Sequence, residues 1–129
     1  MAKVLVIDDH RDVAEVMRQL FGAKGHEVRC CASAEDGLEL VKVGGFDAVI
    51  VDQRLPGMRG LDFTKRMRVD EAVERRGRSE TYIVVWSADD HLEREAMEAG
   101  ASEFWVKGGQ DLFDRVDRLI ERLGDADGV

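Results

Sequence analysis

Apolar residues gather into five short runs that alternate along the chain with longer segments of mixed polarity. Each run is bounded by glycine, charged or hydroxyl residues, a pattern typical of β-strands. The first, third and fourth runs are the most apolar, which predicts strands buried on both faces, whereas the more polar second run is expected near a sheet edge. The predicted strands cover residues 3–7, 26–31, 48–51, 82–86 and 103–106.

The segments between these runs show the spacing of helices. After the first strand, apolar residues recur at i, i+3, i+4, i+7 and i+8, which lie on one face of a helix. Ser33 stands where it can cap the second helix, and Gly44-Gly45 closes that helix. The first predicted helix has the apolar residues Val13, Val16, Met17, Leu20 and Phe21, and the second has Ala34, Leu38 and Val41. The other three predicted helices cover residues 61 to about 75, 89–99 and about 110 to 123. The polar tail over 124–129 is expected to fray.

Strand and helix thus alternate five times without a repeat or a linker. This alternation predicts an α/β fold in which helices cover both faces of a parallel sheet. The three most apolar strands belong at its centre, which matches the doubly wound, flavodoxin-like order 2-1-3-4-5. The whole chain, residues 1–129, is expected to form a single domain.

Composition narrows the classes of function. Lys and Arg number 19 against 27 Asp and Glu, a formal charge of −8, which argues against direct contact with nucleic acid and is compatible with binding a cation. Cys30 and Cys31 are adjacent, have no second pair for a zinc site, and are expected to be free thiols in a reducing compartment. The chain has no recognisable leader and no membrane-spanning apolar run, so we expect a cytoplasmic protein that does not bind membranes.

Polar residues follow the strands that should lie side by side. Asp8 and Asp9, Asp52, Ser87 and Lys107 all fall at the carboxyl edge of the predicted sheet, where such sheets bind ligands. Clustered carboxylates favour Mg²⁺, a hydroxyl and an ammonium suit phosphoryl oxygens, and one carboxylate would be free to form an acyl phosphate. Singly, each residue has a plainer interpretation: a helix start, a turn, an N-cap or a solvated charge.

Taken together, the motifs resemble a known family. The chain from Lys3 to about Leu123 is similar to the receiver domain of two-component response regulators, of the single-domain type found among chemotaxis regulators. The matching segments are the acidic pair at 8–9, the Val-Asp-x-x-Leu-Pro-Gly segment at 51–57, Trp-Ser-Ala at 86–88, and the segment from Gly100 to Lys107.

The resemblance implies a phosphoacceptor and a metal site. Asp52 would accept a phosphoryl group from a phosphohistidine of a sensor kinase or a phosphotransfer protein. Asp9 and Asp52 would bind Mg²⁺ directly, together with the backbone carbonyl of Arg54, and Asp8 would act through a metal-bound water.

It also implies a switch. Lys107 would pair with a phosphoryl oxygen, Ser87 would move to hydrogen-bond another, and Phe104 would turn inward as that hydroxyl moves. Trp86 and Trp105, which adjoin the switch residues, are expected to be packing residues that could report phosphorylation by fluorescence.

Two departures from the family concern the site itself. Gly108 follows Lys107 where the family usually has proline, often with a cis bond, so the Lys107–Gly108 bond is expected to be trans. Arg54 and Asp89 each lie two residues after a site residue, and we hypothesise that they pair across the mouth of the site and shield the acyl phosphate.

Two further departures concern length. The stretch between Asp52 and Ser87 is longer than is usual in the family. The additional residues fall in a polar segment over 69–80 that contains Arg75, Arg76 and Arg78. This segment could be either a solvated loop or a site for a partner. The stretch from Ser87 to Lys107 is short, which predicts a shortened fourth helix.

The predicted function is a stand-alone phosphoacceptor receiver that catalyses at most its own phosphorylation and dephosphorylation. A kinase or phosphotransfer protein would dock at the first helix, from His10 onward, and a downstream protein would read the fourth helix, fifth strand and last helix. We expect a monomer or a weak, phosphorylation-dependent dimer.

Two alternatives stay open at this point. A pseudo-receiver would have the same fold and act by binding alone. A phosphatase of the haloacid-dehalogenase type is disfavoured, because it needs a second Asp two residues after the nucleophile, and His10 and Arg54 stand at those positions after Asp8 and Asp52.

Overall fold

A computed structural model describes residues 2–74, 80–108 and 112–127 of the chain. Its centre is a five-stranded parallel sheet in the order β2-β1-β3-β4-β5, as the hydrophobic pattern predicts. The more polar strand β2 lies at one edge and the three apolar strands lie inside. The strands are β1 (Lys3–Ile7), β2 (Glu27–Cys31), β3 (Ala48–Asp52), β4 (Tyr82–Ser87) and β5 (Glu103–Val106).

Helices cover both faces of this sheet. Ser33 caps α2 as predicted, because its hydroxyl accepts a hydrogen bond from the Asp36 amide at 3.1 Å. None of the helices in the described parts of the chain is long and apolar enough to cross a membrane. The helices are α1 (Arg11–Gly22), α2 (Ala34–Gly44), α3 (Gly60–Glu74), α4 (Glu93–Ala99) and α5 (Leu112–Asp127).

The core consists of two apolar layers, one on each face of the sheet. Alternate residues of a strand point to opposite faces, so a strand covered on both sides contributes to both layers. Strand β1 shows this, since Val4 and Val6 lie in the layer beneath α1 and α5, whereas Leu5 and Ile7 lie in the layer beneath α2, α3 and α4. This double burial explains why the central strands are apolar without interruption.

Two helix predictions change in detail, and a third is confirmed. The fourth helix is short as expected, but its first turn, Asp90–Leu92, is a 3₁₀ turn and only Glu93–Ala99 is α-helical. Helix α5 continues to Asp127, so the polar tail expected from residue 124 is helical as far as the structure describes it. Helix α3 ends at Glu74, which confirms the predicted end at about residue 75.

The polar segment was predicted to be a solvated loop or a partner site containing Arg75, Arg76 and Arg78. These three arginines lie within residues 75–79, which are outside the described residues. Both cysteines are free thiols, as predicted.

Candidate functional site

Three strand ends bring two carboxylates and an ammonium into contact. Asp8 follows β1, Asp52 ends β3, and Lys107 follows β5. Lys107 Nζ lies 3.1 Å from Asp52 Oδ1 and 3.7 Å from Asp8 Oδ2. The Asp8 and Asp52 side chains are only 1% and 3% exposed, so these charges interact in a largely dry pocket.

His10 lies at the outer side of this pocket, beside both members of the acidic pair. Its Nδ1 is 2.9 Å from Asp8 Oδ1 and 3.2 Å from Asp9 Oδ1, and its backbone amide donates to Asp8 Oδ1 at 2.8 Å. The hydrogen bond to Asp8 and the two negative charges raise the pKa of His10. Sequence reasoning assigned His10 only to the start of a docking helix and missed this contact.

Two carboxylate oxygens in the pocket are buried without a hydrogen-bond partner: Asp8 Oδ2 and Asp52 Oδ2. Ligand atoms of Asp8, Asp9, His10 and Asp52 all lie within 4.8 Å of one another. Buried carboxylate oxygens without donors suit a hard divalent cation, which binds oxygen ligands. The residues present therefore fit Mg²⁺.

Burial has the largest effect on the pKa of Asp52. Removal from water raises the pKa of Asp52, and the hydrogen bond and charge of Lys107 only partly oppose this effect. The backbone amide of Arg54 approaches Asp52 Oδ1 at 3.4 Å and adds little. The ionised carboxylate is thus destabilised in the folded protein until a cation joins it.

The raised pKa of Asp52 predicts how stability depends on pH. A carboxyl group whose pKa is higher in the folded state stabilises the fold below its unfolded pKa, here ordinarily 3.8, and this contribution is lost as pH rises through the folded pKa. In metal-free protein, Asp52→Asn should therefore raise the free energy of unfolding at neutral pH by about 1–3 kcal/mol. The gain should shrink as the pH is lowered toward about 4.

Urea denaturation with a chelator present, across this pH range, measures the effect. Asp62→Asn serves as the matched control, because Asp62 is an exposed aspartate in the first turn of α3. A lower stability of Asp52→Asn than wild type at neutral pH would show that the Lys107 pairing outweighs burial.

Ser87 lies at the end of β4 with its hydroxyl turned toward its own chain. The side chain is buried, and Oγ accepts a hydrogen bond from the Asp89 amide at 3.0 Å. Asp89 caps the following 3₁₀ turn, with Oδ1 accepting from the His91 amide at 2.9 Å. No ion pair joins Arg54 to Asp89 in the described chain, so the shielding pair hypothesised above is wrong for this structure. The cap explains why, since it engages the Asp89 carboxylate locally.

Phe104 is 5% exposed and lies in the apolar layer that also contains Val85 and Ala96. The resemblance implies that this ring turns inward on phosphorylation. Its ring already occupies an inward position here, so the structure shows no exposed starting point for that movement.

A comparison with known protein families identifies the family to which this chain belongs. The family model described as the response regulator receiver domain matches residues 4–117. The chain belongs to this family. The matched residues include the acidic pair, Asp52, Ser87 and Lys107, so every sequence-predicted site residue lies within the receiver domain.

Curated relatives differ in how much of their length this receiver domain covers. The sensory/regulatory protein RpfC of Xanthomonas campestris is 41% identical over 107 residues, which are 81% of this chain and 14% of RpfC. The chain therefore spans about one seventh of that relative. The chemotaxis protein CheY-3 of Vibrio cholerae is 30% identical over 128 residues, with 94% of this chain and 93% of CheY-3 covered.

Solved structures agree on the fold. The response regulator TrrA of Thermotoga maritima, solved in complex with Mg²⁺-BeF, is 25% identical, with 95% of this chain and 99% of TrrA covered and a TM-score of 0.79. The chemotaxis response regulator CheY4 of Vibrio cholerae is 24% identical, with 95% and 98% covered and a TM-score of 0.80.

This receiver domain departs from its family immediately after Lys107. The Lys107–Gly108 bond is trans, as predicted, as are the other peptide bonds of the described residues. Gly108 has a φ of +75°, in the left-handed region that favours glycine and that the proline ring cannot reach. The backbone at Gly108 therefore has a conformation that the usual family residue could not adopt.

Sequence reasoning also missed how the receiver domain holds Asp52 in place. Gln53 is buried, and its Oε1 accepts a hydrogen bond from the Leu61 amide at 2.8 Å. Its backbone carbonyl accepts from the Gly60 amide at 3.2 Å. Gln53 thus satisfies two amides at the start of α3, which ties that helix to the residue after Asp52. In the sequence, the only indication of this role was a polar residue placed between Asp52 and the start of a helix.

Proposed function

We propose that Asp52 is the phosphoacceptor of this receiver domain and that a phosphohistidine of a sensor kinase or phosphotransfer protein is the donor. One observation supports the proposal most: Asp52 has one buried oxygen held by Lys107 and a second, Oδ2, without a partner. A carboxylate oxygen attacks phosphorus, the phosphorus–nitrogen bond breaks, and the imidazole leaves with a proton taken from solvent. The product is an aspartyl phosphate.

The residues around Asp52 have distinct roles in this proposal. Asp9, Asp52 and the backbone carbonyl of Arg54 would hold Mg²⁺ directly, and Asp8 would hold it through water. When bound, the ion would supply positive charge that offsets the charge of the phosphoryl oxygens and the carboxylates. Lys107 pairs with a second phosphoryl oxygen from its position beside Asp52. The solved complex of the relative TrrA with Mg²⁺-BeF supports this assignment.

Phosphorylation then changes the surface that partners contact. Ser87 Oγ exchanges its hydrogen bond from the Asp89 amide for one to a phosphoryl oxygen, which frees the start of the turn before α4. Helix α4, strand β5 and helix α5 form the surface for a downstream protein, and α1 forms the docking surface for the kinase. The added charge and hydrogen bonds bias this surface between two arrangements.

Intact-mass analysis after incubation with Mg²⁺ and acetyl phosphate tests the assignment of Asp52. Wild type should gain one phosphoryl group, Asp52→Asn should gain none, and the exposed-site control Asp62→Asn should behave like wild type. The physical reason is that Asp52 has a buried oxygen without a hydrogen-bond partner and lies nearer to the Lys107 ammonium than Asp8 does, at 3.1 Å against 3.7 Å.

Two results would contradict the assignment. A phosphoryl group on Asp52→Asn would place the acceptor elsewhere. No adduct on wild type, followed by no spectral change with beryllofluoride and Mg²⁺, would favour the pseudo-receiver, a module that signals through binding alone.

A further inference from the structure

The ammonium of Lys107 lies against an aromatic ring as well as the carboxylates. Its Nζ is 4.9 Å from the centroid of the Trp86 ring and 3.1 Å from Asp52 Oδ1. A cation at this distance from an indole is attracted by the electron-rich face of the ring. Trp86 therefore provides Lys107 with an electrostatic contact in addition to the carboxylates.

The Trp86 ring is itself fixed. Trp86 and Trp105 are direct neighbours in the pairing of β4 with β5, and their rings pack edge to face with centroids 6.5 Å apart and planes at 79°. Trp105 is 1% exposed, and its Nε1 donates a hydrogen bond to Glu103 Oε1 at 3.0 Å. A ring held in this way gives Lys107 a rigid surface to lie on.

The contact with Trp86 adds to the restraint that Asp52 and Asp8 place on the Lys107 side chain. Its backbone amide donates to the Ser87 carbonyl at 2.8 Å, but glycine at position 108 leaves the following backbone without the restraint of a proline ring. A lysine side chain has many rotamers, and holding one of them costs entropy. The contact with Trp86 offsets part of this cost.

We propose that Trp86 is a positioning residue that holds the Lys107 ammonium at the phosphoacceptor carboxylate, a role that rests on the proposed function of Asp52. Two consequences follow. Phosphoryl transfer is faster because the ammonium is already beside the reacting oxygens. Divalent cations bind less tightly because the same ammonium competes for the carboxylates of Asp8 and Asp52.

Proton NMR of the wild-type protein tests the contact directly. The ε-methylene protons of Lys107 should be shifted upfield by the ring current of Trp86. Trp86→Leu should abolish this shift, and Trp86→Phe should retain part of it. Lys3 is the internal control, because its Nζ lies 4.8 Å from the Phe46 ring centroid and its shift should not respond to changes at Trp86.

Two solution measurements test the consequences. Trp86→Leu should slow phosphorylation by phosphoramidate at saturating Mg²⁺ by about fivefold, which corresponds to the loss of about 1 kcal/mol of cation–π attraction. Calorimetric titration should show Mg²⁺ binding to the same variant about two- to fivefold more tightly. Trp86→Phe should stay within about twofold of wild type in both. A residue that only packs in the core would not tighten Mg²⁺ binding when it is removed.

The three measurements distinguish a wrong role for Trp86 from a wrong role for Asp52. Wild type that takes no phosphoryl group overturns the role of Asp52, yet the NMR shift and the Mg²⁺ titration still judge Trp86. An unshifted Lys107 in wild type overturns the proposal, as does Trp86→Leu with unchanged rate and unchanged Mg²⁺ affinity. If Trp86→Leu fails to fold, the wild-type spectrum and Trp86→Phe give the decision.

Discussion

Gly60→Ala should both destabilise the protein and slow phosphorylation of Asp52. A Cβ atom at position 60 would lie 2.7 Å from the backbone oxygen of Asp52 and 3.0 Å from Gln53 Cα. Both neighbours are backbone atoms, so the start of α3 or the end of β3 must move. We expect the free energy of unfolding to fall by about 2–3 kcal/mol. Displacing the phosphoacceptor should slow phosphorylation by about tenfold to a hundredfold.

Urea denaturation and the phosphoramidate rate measure the two effects. Gly124→Ala is the matched control, because Gly124 lies within α5 and a Cβ there meets nothing within 4 Å. Alanine is the better helix former, so the control should gain about 0.5–1 kcal/mol. Gly60→Ala with wild-type stability and rate would show that α3 does not approach β3 as closely as described.

Arg68→Ala should cause the second large effect, through the contacts that the guanidinium makes at the far end of α3. Its nitrogen atoms donate to the Gly100 carbonyl at 2.8 Å, the Thr81 carbonyl at 2.9 Å and Ser102 Oγ at 3.2 Å. It also pairs with Glu71 at 2.6 Å, and both side chains are about four-fifths buried. Removing the cation takes a donor from the Gly100 and Thr81 carbonyls and leaves Glu71 with only the Thr81 amide, so we expect a loss of about 2–4 kcal/mol.

The neighbouring Arg66 provides the control on the same helix. Among the described residues its only ion pair is with Asp70, and its side chain is 57% exposed, so Arg66→Ala should cost no more than about 0.5 kcal/mol. Denaturant unfolding compares the two variants. Amide hydrogen exchange should also accelerate around Gly100 and Ser102 in Arg68→Ala alone. Equal losses from the two variants would contradict a specific clamp between α3 and the turn before β5.

The sequence alone did not predict a structural role for Gly60 or Arg68. Gly60 follows a turn rich in proline and glycine, where another glycine has an ordinary explanation. Arg68 belongs to a helix with many charged residues, where a charge is usually solvated. Their importance depends on contacts with the end of β3, with the residue before β4 and with the turn after α4, and no local sequence pattern predicts these contacts.

Much of the candidate site could be predicted from the sequence because its polar residues lie at the ends of the strands. A buried parallel strand must be apolar, so the first polar residue after it marks where the strand ends, and the ends of neighbouring strands meet at one edge. Asp8, Asp52 and Lys107 were predicted in this way and lie together in the structure. His10 was missed because its contact with the acidic pair depends on how the chain turns into α1.

Periodicity and breaks in hydrophobicity are properties of neighbouring residues, so the amino-acid sequence was enough to predict the five strands, their order, the five helices and the polar residues at the carboxyl edge. The state of each group at that edge could be learned only from the folded protein. It left Asp52 Oδ2 without a partner, engaged Asp89 in a cap instead of a pair with Arg54, and brought Trp86 beneath Lys107. These outcomes depend on distances between segments far apart in the chain, which packing and burial determine.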